Sequence, residues 1–472
     1  MLITLNKPPG KPALREKTNN KYPFIFDTLY STGLIVFLAF SFVYSIGRFA
    51  EFPIEYILLA INGLLAIYGQ VLAIRNNASL HYVSFVFCYL FLSITPLIQI
   101  GANHDPVFNM EFILLIATTM SLIFTLIGLF SMCRLNKKKI PPTDEDDKPR
   151  NGRYFVLFLV TLITAAFTIF LFWDGLFTSR KGFGLFLSTI FSDQPTASLA
   201  MNFLMSIPFF GAAIGFRSAL ANKRHGWTFA YTFLLMLGCI INNPFINPRY
   251  KLAGLVFFFI DYLFRGKKLR LLVALVIMGA LSAPLFNAFR EEIPYINPAQ
   301  QEKSFGNTFL SYDYDAFQIA CYTVVMVDQQ GLSWGSNIAG ALLFFVPRTF
   351  WPEKPKQTSH LVYDTMIKYR EVGTPNLSTP LMAEGYLAFS WLGVLLISII
   401  YWAAISKIIV KSRQNCQSLT FLSRGVLVGL IFIFLRGTLI VGVSAVVGSF
   451  LAALIPWLCF GNKKTVTSRP SQ

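Results

Sequence analysis

Charged residues are scarce in this sequence. Asp, Glu, Lys and Arg make up 13% of its 472 residues, about half of the ~25% that is usual in soluble proteins. Apolar residues make up 54% and aromatic residues 16%, with 48 Phe spread along the chain. This composition excludes a disordered, collagen-like or coiled-coil chain, and it predicts an all-α polytopic membrane protein.

Cysteine pairs and the signature motifs of common enzyme classes are also missing. The six cysteines include no C-x-x-C spacing, which argues against a zinc site or a disulfide framework. No H-E-x-x-H, G-x-S-x-G or P-loop pattern occurs, so the familiar zinc, serine-hydrolase and nucleotide sites are not indicated. We therefore expect neither a bound metal nor a cofactor.

What the sequence does contain is a series of apolar stretches, each near the ~20 residues that a helix needs to cross a bilayer. Residues 1–23 and 461–472 flank this series and are expected to be tails. The first 22 residues are polar and basic, and a full-length apolar span follows directly, which is typical of an uncleaved tail rather than a signal peptide. The twelve predicted spans are 24–46, 55–74, 81–100, 112–132, 154–173, 197–217, 227–241, 250–264, 271–288, 381–406, 421–437 and 442–460.

The positive charge is concentrated on alternate connections between these spans. Most of the 40 Lys and Arg lie in the two tails, the turn at Arg75, the linker 133–153, and residues 217–224, 265–270 and 407–424. Because cytoplasmic loops carry an excess of Lys and Arg, this pattern predicts an even number of spans with both termini in the cytoplasm. The net charge of +17 is thus a topology signal, and we expect no nucleic-acid partner.

Residues 289–380 form one large connection on the outer side, between the predicted spans 1–9 in 24–288 and the predicted spans 10–12 in 381–460. Asp315 and Gln318 have the spacing of a capping box, which predicts a helix from there to about Asp328. Residues 336–347 are apolar but too short to cross a bilayer, so we predict a re-entrant or interfacial helix ending at Pro347. The connection is expected to be an ordered, membrane-seated extracytoplasmic subdomain.

Several arginines fall on the outer side, where the positive-inside rule disfavours them. A guanidinium binds phosphate through two parallel hydrogen bonds and stays charged at any pH, so several of them in one pocket would suit a lipid-linked pyrophosphate. A lone arginine near a helix end more often reaches the lipid headgroups. This alternative stays open, above all for Arg180 and Arg290. The outer arginines are Arg180, Arg249, Arg290, Arg348 and Arg436.

Three acidic positions and one histidine are further candidates. Glu384 lies near the outer end of predicted span ten, where a carboxylate is costly unless it is paired or functional, so it is either a general base or half of a buried salt bridge. His360 is the one histidine of residues 289–380, and it is a base, a hydroxyl-orienting group or an ordinary surface residue. Asp313 and Asp315 form a D-x-D pair, but Asp315 already has a predicted role as a helix cap.

Residues 345–355, with the sequence FVPRTFWPEKP, resemble a segment of the O-antigen polymerases, the Wzy-type enzymes that join lipid-linked repeat units. The similarity continues at 378–380 (STP), 384–386 (EGY) and 391–393 (WLG). Arg249, which follows a polar outer turn, and Arg436-Gly437 also resemble positions of that family, as do the number of spans and the large outer loop.

The resemblance implies a GT-C-like fold at the outer face of the bacterial inner membrane, acting on undecaprenyl-pyrophosphate-linked oligosaccharide. It implies that Arg249, Arg348 and Arg436 bind the pyrophosphate and that Glu384 accepts a proton from the attacking sugar hydroxyl. A chain-length-regulating co-polymerase is a further partner that this family resemblance leaves open. The remaining candidates for binding sugar or pyrophosphate are Tyr250, Trp351, Lys354 and Tyr386.

Two other classes of membrane protein remain as alternatives. The O-antigen ligases share the layout and normally carry a histidine in the large loop, a role that His360 could fill. A flippase or secondary transporter also commonly has twelve spans, but that class should show ionisable residues near helix centres and matched broken repeats. The polar residues of this chain collect at the outer side instead, which favours chemistry there over transport.

Overall fold

The computed structural model describes residues 22–136, 151–176, 180–190, 194–243, 247, 249–264, 269, 273, 309–310, 314–346, 348, 350–370, 377–414 and 419–460. All regular structure within these ranges is helical, as expected where each backbone polar group must bond inside its own segment. The helices are α1 Tyr22–Ser45, α2 Pro53–Arg75, α3 Ser79–Tyr89, α4 Thr95–Gly101, α5 Glu111–Asn136, α6 Asn151–Leu176, α7 Arg180–Ile190, α8 Gln194–Leu204, α9 Ile207–Ala221, α10 His225–Ile241, α11 Arg249–Leu263, α12 Ala316–Gln330, α13 Ser336–Leu342, α14 Thr358–Met366, α15 Leu381–Gln414, α16 Leu419–Arg436 and α17 Leu439–Phe460.

Nine helical stretches in the described ranges are long and apolar enough to cross a bilayer. Together they make this part of the chain a polytopic membrane protein, as the composition predicts. A π-helical turn at Leu90–Ile94 joins α3 and α4 into one of these stretches. The nine are Ile25–Arg48, Pro53–Arg75, Ser79–Gly101, Glu111–Leu135, Gly152–Leu176, Leu199–Ala221, Leu381–Arg413, Leu419–Arg436 and Leu439–Phe460.

The other three predicted spans have a different status. Predicted spans seven and eight correspond to the shorter apolar helices His225–Ile241 and Gly254–Leu263. At 1.5 Å per residue the whole helices α10 (17 residues) and α11 (Arg249–Leu263, 15 residues) are about 26 Å and 22 Å long, less than the ~30 Å hydrocarbon core. The predicted span 271–288 lies outside the described residues apart from Val273.

Polar contacts between helix ends join residues that the charge pattern places on the same side of the membrane. This agreement supports the alternating direction of the spans, because the contacts between side chains and the charge pattern of the sequence are independent observations. The contacts are Arg75–Asp27, Arg413–Asn76 and Arg424–Asp261 at the predicted cytoplasmic end, and Arg48–Asn103, Gln99–Tyr314 and Arg436–Asp315 at the outer end.

The buried core has two main parts, and α16 contributes to both. One part is formed by α1 to α5 with α12 and α15, and the other by α6, α9, α10 and α11. Where α11 crosses α16, a Cβ on Gly254 would lie 2.4 Å from the carbonyl oxygen of Gly429. Glycine at both positions lets the two backbones approach closely, which is how helices associate inside a bilayer.

Predicted span ten, 381–406, was expected to be one helix, and this is wrong. The helix Leu381–Gln414 breaks at Phe389 and Ser390, whose φ angles are −147° and +53°. The half-helix 381–388 and the helix 391–414 then fold back on each other, so that a Cβ on Gly393 would lie 1.9 Å from the carbonyl oxygen of Gly385. The 391–414 part, about 36 Å long at 1.5 Å per residue, is still long enough to span the membrane.

The connection 289–380, predicted to be an outer subdomain, contains α12, α13 and α14 among its described residues. The predicted helix after Asp315 is present as Ala316–Gln330, but the predicted capping box is wrong, because the Asp315 side chain makes no capping hydrogen bond. Asp315 binds Arg436 instead, and Gln318 donates to Asp105. A charge-assisted bond outcompetes a single backbone N–H here. The predicted re-entrant helix is shorter than expected and ends at Leu342 rather than at Pro347.

Candidate functional site

The half-helix 381–388 is buried along its whole length and carries Glu384 into a junction of three other elements. Glu384 Oε2 accepts hydrogen bonds from Asn337 Nδ2 at 2.8 Å and from Thr358 Oγ1 at 2.7 Å. Its Oε1 accepts a hydrogen bond from the backbone N of Leu439 at 3.0 Å. One carboxylate therefore links α13, α14 and the first residue of α17.

The Glu384 carboxylate is held by neutral donors. Its side chain is 1% exposed, and among the described residues no basic side chain lies within ion-pair distance of it. The salt bridge that the sequence left open as an alternative is therefore not formed in this part of the chain. The three donors and the N-terminal end of α17, where the helix dipole is positive, are what offset the burial of its charge.

Strained backbone surrounds this half-helix. The turn before α13 contains Trp334 and Gly335, with φ of +50° and +82°, and it packs against the break in α15 at Phe389 and Ser390. The backbone N of Ser333 donates to the carbonyl oxygen of Leu387 at 2.9 Å, which fixes the turn to the half-helix. Such conformations persist only where the surroundings enforce them, and they concentrate at functional sites.

Arg436 and Asp315 form the second part of the site. Arg436 Nη2 lies 3.3 Å from Asp315 Oδ1, and Asp315 Oδ2 accepts a hydrogen bond from the backbone N of Ser378 at 3.2 Å. Burial raises the pKa of Asp315, while the Arg436 guanidinium and the bonds to Ser378 oppose that rise. Because Arg436 and Leu439 belong to the same short turn between α16 and α17, the Asp315 and Glu384 carboxylates both anchor that turn.

Asp105 is a structural anchor that sequence reasoning missed. It follows α4, is almost fully buried, and accepts hydrogen bonds from Tyr322 OH at 2.6 Å, from Gln318 and from the backbone N of Val107. Arg370 Nε lies 3.0 Å from its Oδ2. The Asp-Pro pair at 105–106 was the local signal of a turn, but the contacts cross more than 200 residues of sequence.

The loop after α13 is held in shape by its own lysine. Lys354 is buried, and its Nζ donates to the carbonyl oxygens of Phe344 at 2.6 Å and Val346 at 3.0 Å. Arg348 is exposed, and its Nη1 donates to the carbonyl oxygen of Lys354 at 2.8 Å. Trp351 is half-buried. The ammonium of Lys354 thus serves the shape of the loop, while Arg348 lies at its surface.

The remaining predicted residues are distributed as follows. His360 is half-buried on α14, two positions after Thr358. Residues two apart in a helix do not share a face, so His360 points away from Glu384. Tyr386 is buried and packs edge-to-face on Trp391, with 5.8 Å between ring centroids. Arg180, Arg249 and Tyr250 open α7 and α11 with side chains outside the described part, and Arg290 lies outside the described residues altogether.

The buried carboxylate of Glu384 and the partly exposed guanidinium of Arg436 thus meet the same turn between α16 and α17. Such a pair is suited to proton transfer beside a bound anion. Asp315 uses its oxygens for Arg436 and Ser378, and Asp313 lies outside the described residues. No group of three metal-ligating side chains occurs among the residues that the structure describes. The chain matches no protein-family model, no curated protein and no solved structure.

Proposed function

We propose that this chain is a polysaccharide polymerase that joins undecaprenyl-pyrophosphate-linked oligosaccharide repeat units. The observation that carries the proposal is that Glu384 and the Arg436–Asp315 pair anchor one turn at one end of the helix bundle. That end is the one predicted to face outward. The proposal includes twelve spans in a GT-C-like arrangement, both termini in the cytoplasm, and a location in the bacterial inner membrane.

Arg436 is the residue to which we assign the pyrophosphate, together with Arg249. Asp315 and the ring of Phe91, whose centroid lies 6.0 Å from the Arg436 Cζ, hold the guanidinium in place. A guanidinium that is already oriented stabilises the charge that develops on a departing pyrophosphate without a cost of reorganisation during the reaction. The Arg436 side chain is 26% exposed, whereas that of Asp315 is 3% exposed.

Glu384 is the proposed general base. The hydrogen bond that Glu384 Oε2 accepts from the Thr358 hydroxyl at 2.7 Å supports this role, because the acceptor sugar would present the same kind of group to the carboxylate. The acceptor hydroxyl gives its proton to Glu384 as its oxygen attacks the anomeric carbon, and the bond from that carbon to the pyrophosphate breaks. The electron pair leaves with the lipid pyrophosphate, and the anomeric configuration is inverted. Neutral donors suit this role, because an adjacent cation would make the carboxylate a weaker base.

The test is polymer formation by the full chain in liposomes that contain a lipid-linked repeat unit, with ladders resolved on a gel. We expect Glu384→Gln to lower the rate by about 10²- to 10⁴-fold, the usual contribution of a general base, and Arg436→Ala to abolish the ladder. Glu353→Gln is the matched control, since Glu353 is exposed. Normal ladders from both site variants would refute this assignment.

A ligase that transfers finished glycan to a lipid A core is the second candidate. The basis for it is that α14 carries His360 in the large connection, although on the opposite face of that helix from Thr358, which binds Glu384. The discriminating measurement supplies a lipid A core acceptor beside the repeat unit. Transfer to the core that is lost in His360→Ala, with no ladder in any variant, selects the ligase over the polymerase.

A further inference from the structure

Four large apolar side chains are exposed at the last residue of α13 and in the loop that follows it. They belong to Leu342, Leu343, Phe345 and Phe350, and their exposed fractions are 63%, 43%, 63% and 83%. We call these four residues the apolar tip. Exposed aromatic and aliphatic side chains that follow one another within nine residues of sequence mark a surface that is covered in the working protein.

The tip is held in a defined shape. Phe344, between Leu343 and Phe345, is buried and packs edge-to-face on the ring of Phe345. The Lys354 ammonium bonds to the carbonyl oxygens on both sides of Phe345, and Arg348 bonds to the carbonyl of Lys354. Because these hydrogen bonds cross the loop, the loop is ordered, and the four side chains are exposed in a defined conformation.

The surroundings of the tip indicate what covers it. The helix α13 packs against α15 and α17, both of membrane-spanning length. At the start of α13, Gly335 lies against the ring of Phe389, beside Trp334, which is 76% exposed. The helix 391–414, which follows Phe389, carries further exposed apolar side chains, those of Leu392, Leu395, Leu396, Ile399 and Ile400.

The charge beside the tip matches a phospholipid surface. Arg348 lies between Phe345 and Phe350 in sequence and is exposed, and Lys356 follows as another exposed basic residue. Aromatic side chains at the headgroup level, with guanidinium groups reaching phosphate, are characteristic of the membrane interface. We propose that the apolar tip inserts into the outer leaflet of the bilayer and that Arg348 binds headgroup phosphate there, rather than the pyrophosphate of the substrate.

The depth of the tip can be measured by spin labelling of the full chain in phospholipid nanodiscs. The six native cysteines are first replaced by serine, and nitroxide labels are attached to Phe345→Cys or Phe350→Cys. Collisions with oxygen, which concentrates in the bilayer, are compared with collisions with a water-soluble nickel complex. The control is Glu353→Cys, an exposed position in the same loop.

We expect the labels at 345 and 350 to collide mainly with oxygen and the label at 353 to collide mainly with nickel. Replacing Arg348 by glutamine should move the label at 345 toward water, while replacement by lysine should not. Water-like collisions at both tip positions would overturn the proposal. So would labels that become shielded from nickel only when polyprenyl phosphate is added, since the occupant would then be the isoprenoid chain and not the bilayer.

Discussion

The contact between Gly385 and Gly393 determines where Glu384 points. These glycines lie on the two parts of α15, on either side of the break at Phe389 and Ser390. A Cβ on Gly393 would lie 1.9 Å from the carbonyl oxygen of Gly385, where real Cβ contacts essentially never fall below 3.0 Å. In Gly393→Ala the crossing must therefore open by about 1 Å, because overpacked atoms relieve a clash by backbone shifts.

The expected loss in the free energy of unfolding follows from the overpacking and from the hydrogen bonds of Glu384 that this opening breaks. Overpacking of this kind costs about 1–3 kcal/mol. Glu384 precedes Gly385, and its three hydrogen bonds are 2.7, 2.8 and 3.0 Å long. A shift of about 1 Å takes them beyond the range of a hydrogen bond, and each bond to a charged group is worth about 1.5–3 kcal/mol. We expect the overpacking and the loss of even one of these bonds to lower the free energy of unfolding by about 2.5–6 kcal/mol, and the loss of all three to lower it further.

The assay is thermal unfolding of the full chain in nanodiscs, followed by tryptophan fluorescence, with ladder formation measured in parallel. Gly33→Ala is the matched control, because a Cβ on Gly33 in α1 would meet no atom within 4 Å. Alanine in an exposed helix interior should stabilise the protein by up to about 1 kcal/mol. If Gly393→Ala unfolds at the temperature of the wild type, the close crossing and the positioning of Glu384 by it are both incorrect.

Three further substitutions test other parts of the fold. Ser390→Gly should raise the unfolding temperature, by about 1 kcal/mol in free energy, because φ of +53° with ψ of −138° is accessible mainly to glycine; an unchanged or lower temperature would contradict the strain at this break. Asp105→Ala should cost about 3–5 kcal/mol in the same melt, since it removes the carboxylate bound to Arg370, and a loss below about 1 kcal/mol would mean that the pair is dispensable. Lys354→Met should speed amide hydrogen exchange of residues 344–355, because two carbonyl bonds disappear, whereas unchanged exchange would show that the loop holds its shape without the ammonium.

Eight of the twelve predicted spans were located by sequence alone to within four residues at each end. The stretch predicted at 112–132 is the helix Glu111–Asn136, and that predicted at 442–460 is Leu439–Phe460. Prediction succeeds here because the bilayer imposes a local requirement, about 20 apolar residues in a row, that each segment meets by itself. Sequence also selected Arg436 as a basic residue on the outer side, and the structure pairs it with Asp315.

Tertiary structure alone decided which groups meet. The partners of Glu384 lie 26, 47 and 55 residues away, and Asp315 lies 121 residues from Arg436. No local pattern encodes such distances, and for the same reason the anchor at Asp105 was missed. The break at Phe389 and Ser390 contains neither proline nor glycine. The break is possible because Gly385 and Gly393 let the two parts of α15 cross closely, and this crossing buries Glu384 against three distant donors. Neither glycine would signal a break in the sequence by itself.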